Sequence, residues 1–185
     1  MAKPRRTITL VLGGARSGKS RWAQERAEEF ARVTYLATAR AGDTEMRVKI
    51  ARHRRERPSR WRTVEVPIDL PEKIRSESRD ADLLLIDCFT LYVANVMRTG
   101  GNAEAHNGSR IRDLLDAMRS SDASIIAVSN EVGSGIVPAF ASGRVYRDML
   151  GHLNQEVALI ADNVVLMVAG LPLALKGRLA RRSRK

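Results

Sequence analysis

Eight residues near the start, Gly13-Gly14-Ala15-Arg16-Ser17-Gly18-Lys19-Ser20, carry the types and spacing of a phosphate-binding loop, G-x-x-x-x-G-K-[ST]. Gly13 and Gly18 permit backbone angles and close approach that a Cβ obstructs. Lys19 supplies a point charge for the β- and γ-phosphates of a nucleoside triphosphate, and the Ser20 hydroxyl is a ligand for Mg²⁺. A second element fits the first: Leu83-Leu84-Leu85-Ile86-Asp87 is an apolar run ending in an acid. A carboxylate there holds the same Mg²⁺ opposite Ser20. A third candidate is His53, set among arginines in residues 47–62, which hold eight Lys/Arg and one Glu. Like charge disfavours the imidazolium and so favours the neutral, nucleophilic ring.

These residues need a scaffold that presents them together. Ile8–Leu12 is an apolar run of strand type, and Arg21–Phe30 reads as helix, so the loop stands between a strand and a helix N-terminus. That arrangement aims several N–H groups and the helix dipole at one anion. Further strands are expected at 33–38, 61–66, 82–87, 123–130 and 163–169. Helices are expected at about 45–57 (capped by Asp43 or Thr44 and stopped by Pro58), from Leu70, at 89–97, 110–119 and 142–160. Along the 45–57 helix Met46, Ile50 and His53 share one face. Residues 100–109, rich in glycine and polar groups, read as a mobile loop. The glycine segment 131–138 follows a buried strand, at the sheet edge where α/β proteins bind ligands. Strands alternating with helices predict an α/β fold: a P-loop NTPase-type, doubly wound, mostly parallel sheet with helices on both faces.

The chain has 185 residues, 44% hydrophobic and 29% charged, which suits one globular domain over 1–176. With aromatics at 4%, the core must be aliphatic, as buried parallel strands are. The single cysteine, Cys88, forbids an internal disulfide, fits a reducing cytoplasm, and reads as a buried filler after its strand. The longest uncharged stretch, 163–175, is shorter than the ~20 residues of a membrane span. The net charge of +11 is concentrated in residues 47–62 and in 176–185, and 177–185 reads as a basic, disordered tail. For the internal block three readings compete: a solvated helix face, a phosphate clamp, and a nucleic-acid contact.

The segments GGARSGKSRWAQ, YLATA, EMRVKIARHRRERPSRWRTVE, LLLIDCFTLYVANV, SNEVGSGIVP and YRDMLGHLNQ resemble those of the bifunctional adenosylcobinamide kinase/adenosylcobinamide-phosphate guanylyltransferases of cobalamin biosynthesis. The resemblance runs from about Ile8 to Gly170, and its most specific part is H-x-x-x-R-P-x-x-W-x-T-x-E combined with E-V-G-x-G-I-V-P. It implies two reactions: phosphorylation of the aminopropanol hydroxyl of adenosylcobinamide by ATP or GTP, then transfer of GMP from GTP to the new phosphate. The second passes through a GMP-histidine, which falls here on His53. The resemblance further implies nucleotide contacts from Gly13 to Ser20, from Leu36, Ala37 and Thr38, from Arg54, Arg55, Glu56 and Arg57, and from Glu65 and Asp87. It implies Mg²⁺ as cofactor and a homo-oligomer, a trimer, as the assembly. Some members carry two adjacent histidines; Arg52 stands at the first of these places. Two reactions centred on different phosphorus atoms imply either a helix that moves, with Gly42 as hinge, or two nucleotide poses. The readings that compete with this one are a kinase of another small metabolite with a structural His53, and a nucleic-acid-stimulated ATPase suggested by the basic charge.

Overall fold

The computed structural model describes residues 6–42, 44–55, 57–99 and 103–179; within these, the side chains of 45, 46, 49, 52, 53 and 103–107 are outside the description. The elements are β1 (Ile8–Gly13), α1 (Lys19–Ala27), β2 (Val33–Ala37), α2 (Thr44–Arg55), β3 (Arg62–Glu65), α3 (Leu70–Glu77) and β4 (Leu83–Asp87), then α4 (Phe89–Arg98), α5 (Ala103–Arg119), β5 (Ser124–Val128), α6 (Ala141–Ile160), β6 (Asn163–Val168) and β7 (Leu171–Lys176). They build one seven-stranded sheet in the order β3-β2-β4-β5-β1-β6-β7. Every neighbouring pair is parallel except β6–β7. The expected doubly wound α/β architecture is the observed one.

The buried strands sort their residues by the period of two that a pleated sheet imposes. Leu10, Leu36, Leu84, Ile86, Ile125, Ala127 and Val164 face one side, where they meet Leu70 and Ile74 of α3, Phe89 and Val93 of α4, Leu114 and Met118 of α5, and Leu150, Leu153 and Val157 of α6. Val11, Tyr35, Leu83, Leu85, Ile126, Val128, Val165 and Met167 face the other, under Ala23 and Ala27 of α1 and beside Trp61. Each fully buried Leu or Ile stabilises the fold by about 1.5–3 kcal/mol.

Three expectations are corrected. The loop expected over 100–109 is helical from Ala103 onward. Alanine and glutamate favour helix, and Gly108 has open space about it, so its missing side chain costs the packing nothing. The strand β7 was not foreseen. It pairs antiparallel with β6 across the turn at Ala169-Gly170, where φ is positive at both residues (51° and 81°). Of the expected basic tail, residues 180–185 lie outside the described residues, but Leu179 packs against the second core cluster and Arg178 N–H donates to Asn163 Oδ1. Asp43 and Glu56 also lie outside the description, and α2 ends at Arg55 where Arg57 was expected. Among the described residues, no helix is long and apolar enough to cross a membrane.

Candidate active site

Strand register builds the floor of the site. Glu65, Ala37, Asp87 and Val128 are consecutive register partners across β3, β2, β4 and β5, so four strand ends form one row at the C-terminal edge of the sheet. β5 then pairs with β1, whose last residue, Gly13, opens the phosphate loop. Any of the four residues could change identity without moving the row, because the ladder is made by backbone groups.

The loop itself is tight. A Cβ on Gly13 would stand 2.5 Å from Ser17 Oγ and 2.7 Å from Met167 O, so only glycine fits. Gly18 caps α1 in a left-handed conformation (φ 94°). Ser17 N–H donates to Gly14 O (3.3 Å), and Gly170 N–H donates to Ser17 O (3.0 Å), tying the loop to the β6–β7 turn. The Ser17 hydroxyl is buried and has no protein partner. Lys19 is 8% exposed and donates from Nζ to Gly14 O at 2.8 Å. Burial lowers its pKa, and the nearby Cys88 and Asp87 oppose that shift.

A cleft of about 280 Å³ opens beside the loop. Lys19, Ser20, Ala37, Arg54, Arg57, Glu65 and Asp87 line it, together with Tyr35, Ile50, Thr90 and Asn130. Seven sequence-nominated residues therefore share one space. Ile50 and Arg54 come from α2, which walls the cleft and carries residue 53 in its last turns; the His53 side chain is outside the described residues. Gly13, Gly14, Ala15, Arg16, Ser17 and Gly18 form the loop rather than the cleft wall. Leu36 is fully buried in the core and is not brought to the cleft. Thr38 is likewise buried: its hydroxyl accepts from Cys88 N–H (2.8 Å) and donates to Cys88 O (2.7 Å). Its part is to fix the chain just after Asp87. Arg55 is exposed and not on the cleft.

The basic block is divided in its roles. Arg54 and Arg57 face the cleft, whereas Arg62 pairs with Glu77 at 3.1 Å on the outer surface. Cys88, expected as a filler, lines the cleft, and burial pushes its thiol up to about 11.

Sequence reasoning missed Tyr35 and Asn130. Tyr35 looked like one more buried strand residue, but its hydroxyl donates to Asp87 Oδ2 at 2.5 Å, and the Arg57 guanidinium lies 3.4 Å from its ring centroid. Burial foremost, then the Asp87 charge, raises its pKa well above the usual 10. The signal available was a lone aromatic two residues before the strand end. Asn130 has its backbone clamped on both sides. Its N–H donates to Thr90 Oγ1 (3.0 Å), and its carbonyl accepts from Asn154 Nδ2 (3.1 Å).

The oxygen donors suit Mg²⁺, a hard cation that takes one or two carboxylate or hydroxyl ligands and completes its shell with water and phosphate. Ser20 and Asp87 both line the cleft, and Tyr35 engages only one of the Asp87 oxygens. Among the described residues no cluster of three or more His, Cys, Asp or Glu stands ready to hold a metal unaided.

The profile of one family, cobinamide kinase / cobinamide phosphate guanyltransferase, matches residues 9–175. The chain belongs to this family. It is 45% identical over 175 residues to the bifunctional adenosylcobalamin biosynthesis protein CobP of Pseudomonas aeruginosa, covering 91% of this chain and 96% of that one. It is 36% identical over 180 residues to the bifunctional adenosylcobalamin biosynthesis protein CobU of Escherichia coli, covering 91% and 99%. Among solved structures, a prototypical ATPase from the type III secretion system of pathogenic bacteria superimposes with a TM-score of 0.53 at 13% identity, over 86% of this chain and 51% of that chain. That likeness bears on the fold alone, which it shares with nucleotide-hydrolysing α/β proteins. The family assignment makes the chain an enzyme of cobalamin biosynthesis with kinase and guanylyltransferase activities.

Proposed function

We propose that the protein phosphorylates the aminopropanol hydroxyl of adenosylcobinamide with ATP or GTP, and then guanylylates the product from GTP through a covalent GMP adduct of His53. The observation that carries this reading is the meeting, in one cleft, of Lys19, Ser20 and Asp87 with Arg54 and Arg57 and the α2 helix that bears residue 53. A nucleoside-triphosphate site alone needs only the first three.

In the kinase step the substrate hydroxyl oxygen forms a bond to the γ-phosphorus as the bond to the β,γ-bridging oxygen breaks. The nucleoside diphosphate leaves with the electron pair, and the hydroxyl proton passes to solvent. The loop N–H groups and Lys19 stabilise charge on the phosphoryl oxygens. In the transfer step neutral imidazole attacks the α-phosphorus and pyrophosphate leaves. The corrinoid phosphate then attacks the phosphoramidate, freeing the imidazole and giving adenosylcobinamide-GDP. Arg54 and Arg57 take up charge at the leaving group, where a guanidinium matches phosphate oxygens in pairs. Glu65, lining the cleft, accepts hydrogen bonds from the donor edge of guanine, an edge adenine lacks. Ser20 and Asp87 would hold Mg²⁺, which supplies charge neutralisation on the phosphates.

Incubation with α-³²P-GTP tests the covalent step. Acid-labile, base-stable label on the wild type, absent from His53→Ala, is the expected result. Absence of label from the wild type leaves a kinase without the histidine route.

A further inference from the structure

A second depression of about 460 Å³ lies on the other side of the phosphate loop, between α1 and the β6–β7 turn. Gly18, Arg21, Trp22, Arg26, Gly170 and Pro172 are among its walls. It is continuous with the loop: the Gly170 N–H bonds to Ser17 O, and a Cβ on Gly18 would stand 3.3 Å from Gly170 Cα. Its one aromatic wall, Trp22, has the Arg26 guanidinium 5.4 Å from its ring centroid, so two flat, π-compatible groups stand together.

We propose that this groove is the nucleoside subsite of the kinase step, holding the base and ribose of the phosphoryl donor, while the cleft holds the guanosine of the transfer step. The inference rests on the two-reaction reading above. Its ground is the geometry of displacement at phosphorus, in which the attacking and leaving oxygens stand in line on opposite sides. With the γ-phosphoryl over Lys19, Ser20 and Asp87, the acceptor hydroxyl comes from the cleft, because that is the open space those residues face. The leaving diphosphate then points away from the cleft, across Gly18 and the first N–H groups of α1. The nucleoside beyond it falls in the groove, with Arg21 beside the α-phosphate. In the transfer step the direction reverses. A nucleophile on α2 attacks the α-phosphorus from the cleft side, so pyrophosphate is the group that departs into the phosphate loop, and the guanosine stays in the cleft near Glu65. One loop thus serves two poses, with the nucleoside on either side of it.

The two walls also differ in what they discriminate. An indole and a guanidinium stack on either purine without reading its edge, whereas a carboxylate reads guanine. The kinase step is therefore tolerant of ATP and GTP, and the transfer step is not.

The test uses the full chain and separate assays of the two steps. Trp22→Leu should raise the kinase KM for ATP roughly tenfold, the scale of one lost stacking contact, while the KM for GTP in His53 guanylylation stays within twofold. Arg21→Ala, a change at an exposed side chain, should move the kinase KM in the same direction and keeps the test alive if Trp22→Leu fails to fold. Because Trp61 is only 6% exposed, fluorescence quenching by a non-hydrolysable ATP analogue should come from Trp22 and disappear in Trp22→Leu; GMP should quench neither protein. Equal changes in both KM values, or none in either with no Trp22-dependent quenching, overturn the assignment. A wild type that forms no guanylyl adduct but shows the kinase effects overturns the transfer reading instead and leaves the groove standing.

Discussion

Replacing Tyr35 by phenylalanine removes one oxygen from the site and leaves its shape. The ring is 2% exposed and packed in the second core cluster with Arg57 against it, so it should stay in place. What disappears is the O–H donated to Asp87 Oδ2 at 2.5 Å. A hydrogen bond to a charged group is worth about 1.5–3 kcal/mol, and water reaching Asp87 from the cleft replaces part of it, so we expect a net loss of about 1 kcal/mol in stability. The functional loss should be larger, because partners that orient a metal-binding carboxylate typically carry 10–100-fold in metal affinity or activity. The free Mg²⁺ needed for half-maximal rate should therefore rise about tenfold in both steps, measured as initial rates against free Mg²⁺ at fixed nucleotide. The pH dependence has a definite sign. The folded-state pKa of Tyr35 is raised above its unfolded value near 10, so its neutral form contributes stability that is complete below pH 10 and is lost as pH rises above it. Unfolding in base should be shallower for Tyr35→Phe than for the wild type. A variant whose Mg²⁺ requirement and rates lie within twofold of the wild type refutes the positioning role.

Lys19→Met should abolish the kinase step while the melting temperature holds or rises, because burial lowers the folded pKa of this lysine below its unfolded value and its charge is carried at a cost until the pH exceeds that folded pKa; a fall of several degrees by calorimetry contradicts this. Cys88, with its thiol pushed up to about 11, should react with iodoacetamide at pH 8 roughly a hundredfold more slowly in the native protein than in the unfolded chain, and equal rates would show that the thiol is not shielded. Gly13→Ala must displace Ser17 Oγ or the Met167 carbonyl, so we expect about 1–3 kcal/mol of lost stability and no measurable nucleotide binding by calorimetric titration.

The parts of this fold that could be read from the sequence are those in which local pattern and tertiary role agree. Leu83–Asp87 is apolar throughout because both faces of β4 are covered, and its acid falls at the end of the run because the strand stops where the site begins. Helix α6 and the phosphate loop announce themselves in the same way. The strand β7 did not, because Leu171-Pro172-Leu173-Ala174-Leu175-Lys176 carries a proline and lies at an edge, where pairing on one side tolerates it. The alternation of Leu171, Leu173 and Leu175 was the available signal. Glycines and polar residues suggested a loop over 100–109, whereas the chain is helical from Ala103 onward. The missed site residues share one cause. Tyr35 and Asn130 act through contacts between elements distant in sequence, and no spacing along one segment encodes the approach of β2 to β4 or of the segment after β5 to α4 and α6.

Those contacts make strand register, more than any single side chain, the device that assembles the site. Ala37 pairs with both Glu65 and Asp87, and Asp87 pairs with Val128, so the row of strand ends is fixed by backbone hydrogen bonds across four strands. Slipping β4 by one residue would exchange its two faces. It would drive Asp87 toward the core and bring Ile86 to the cleft, and in the same motion put every leucine of the strand on the wrong side. The hydrophobic core therefore enforces the placement of the carboxylate: Leu84 and Ile86 on one face, with Leu83 and Leu85 on the other, are compatible with only one alignment. A residue beyond the last strand has no such guarantee. Arg54 and Arg57 reach the cleft from α2 and the segment after it, outside the sheet, and Arg57 is held through the ring of Tyr35. The groups proposed to hold phosphate and metal thus sit at strand ends fixed by the core, whereas Arg54, Arg57 and residue 53, proposed for the transfer step, lie on α2 and the segment after it, outside the sheet. A site that must keep one anchor and change its chemistry around it needs that division.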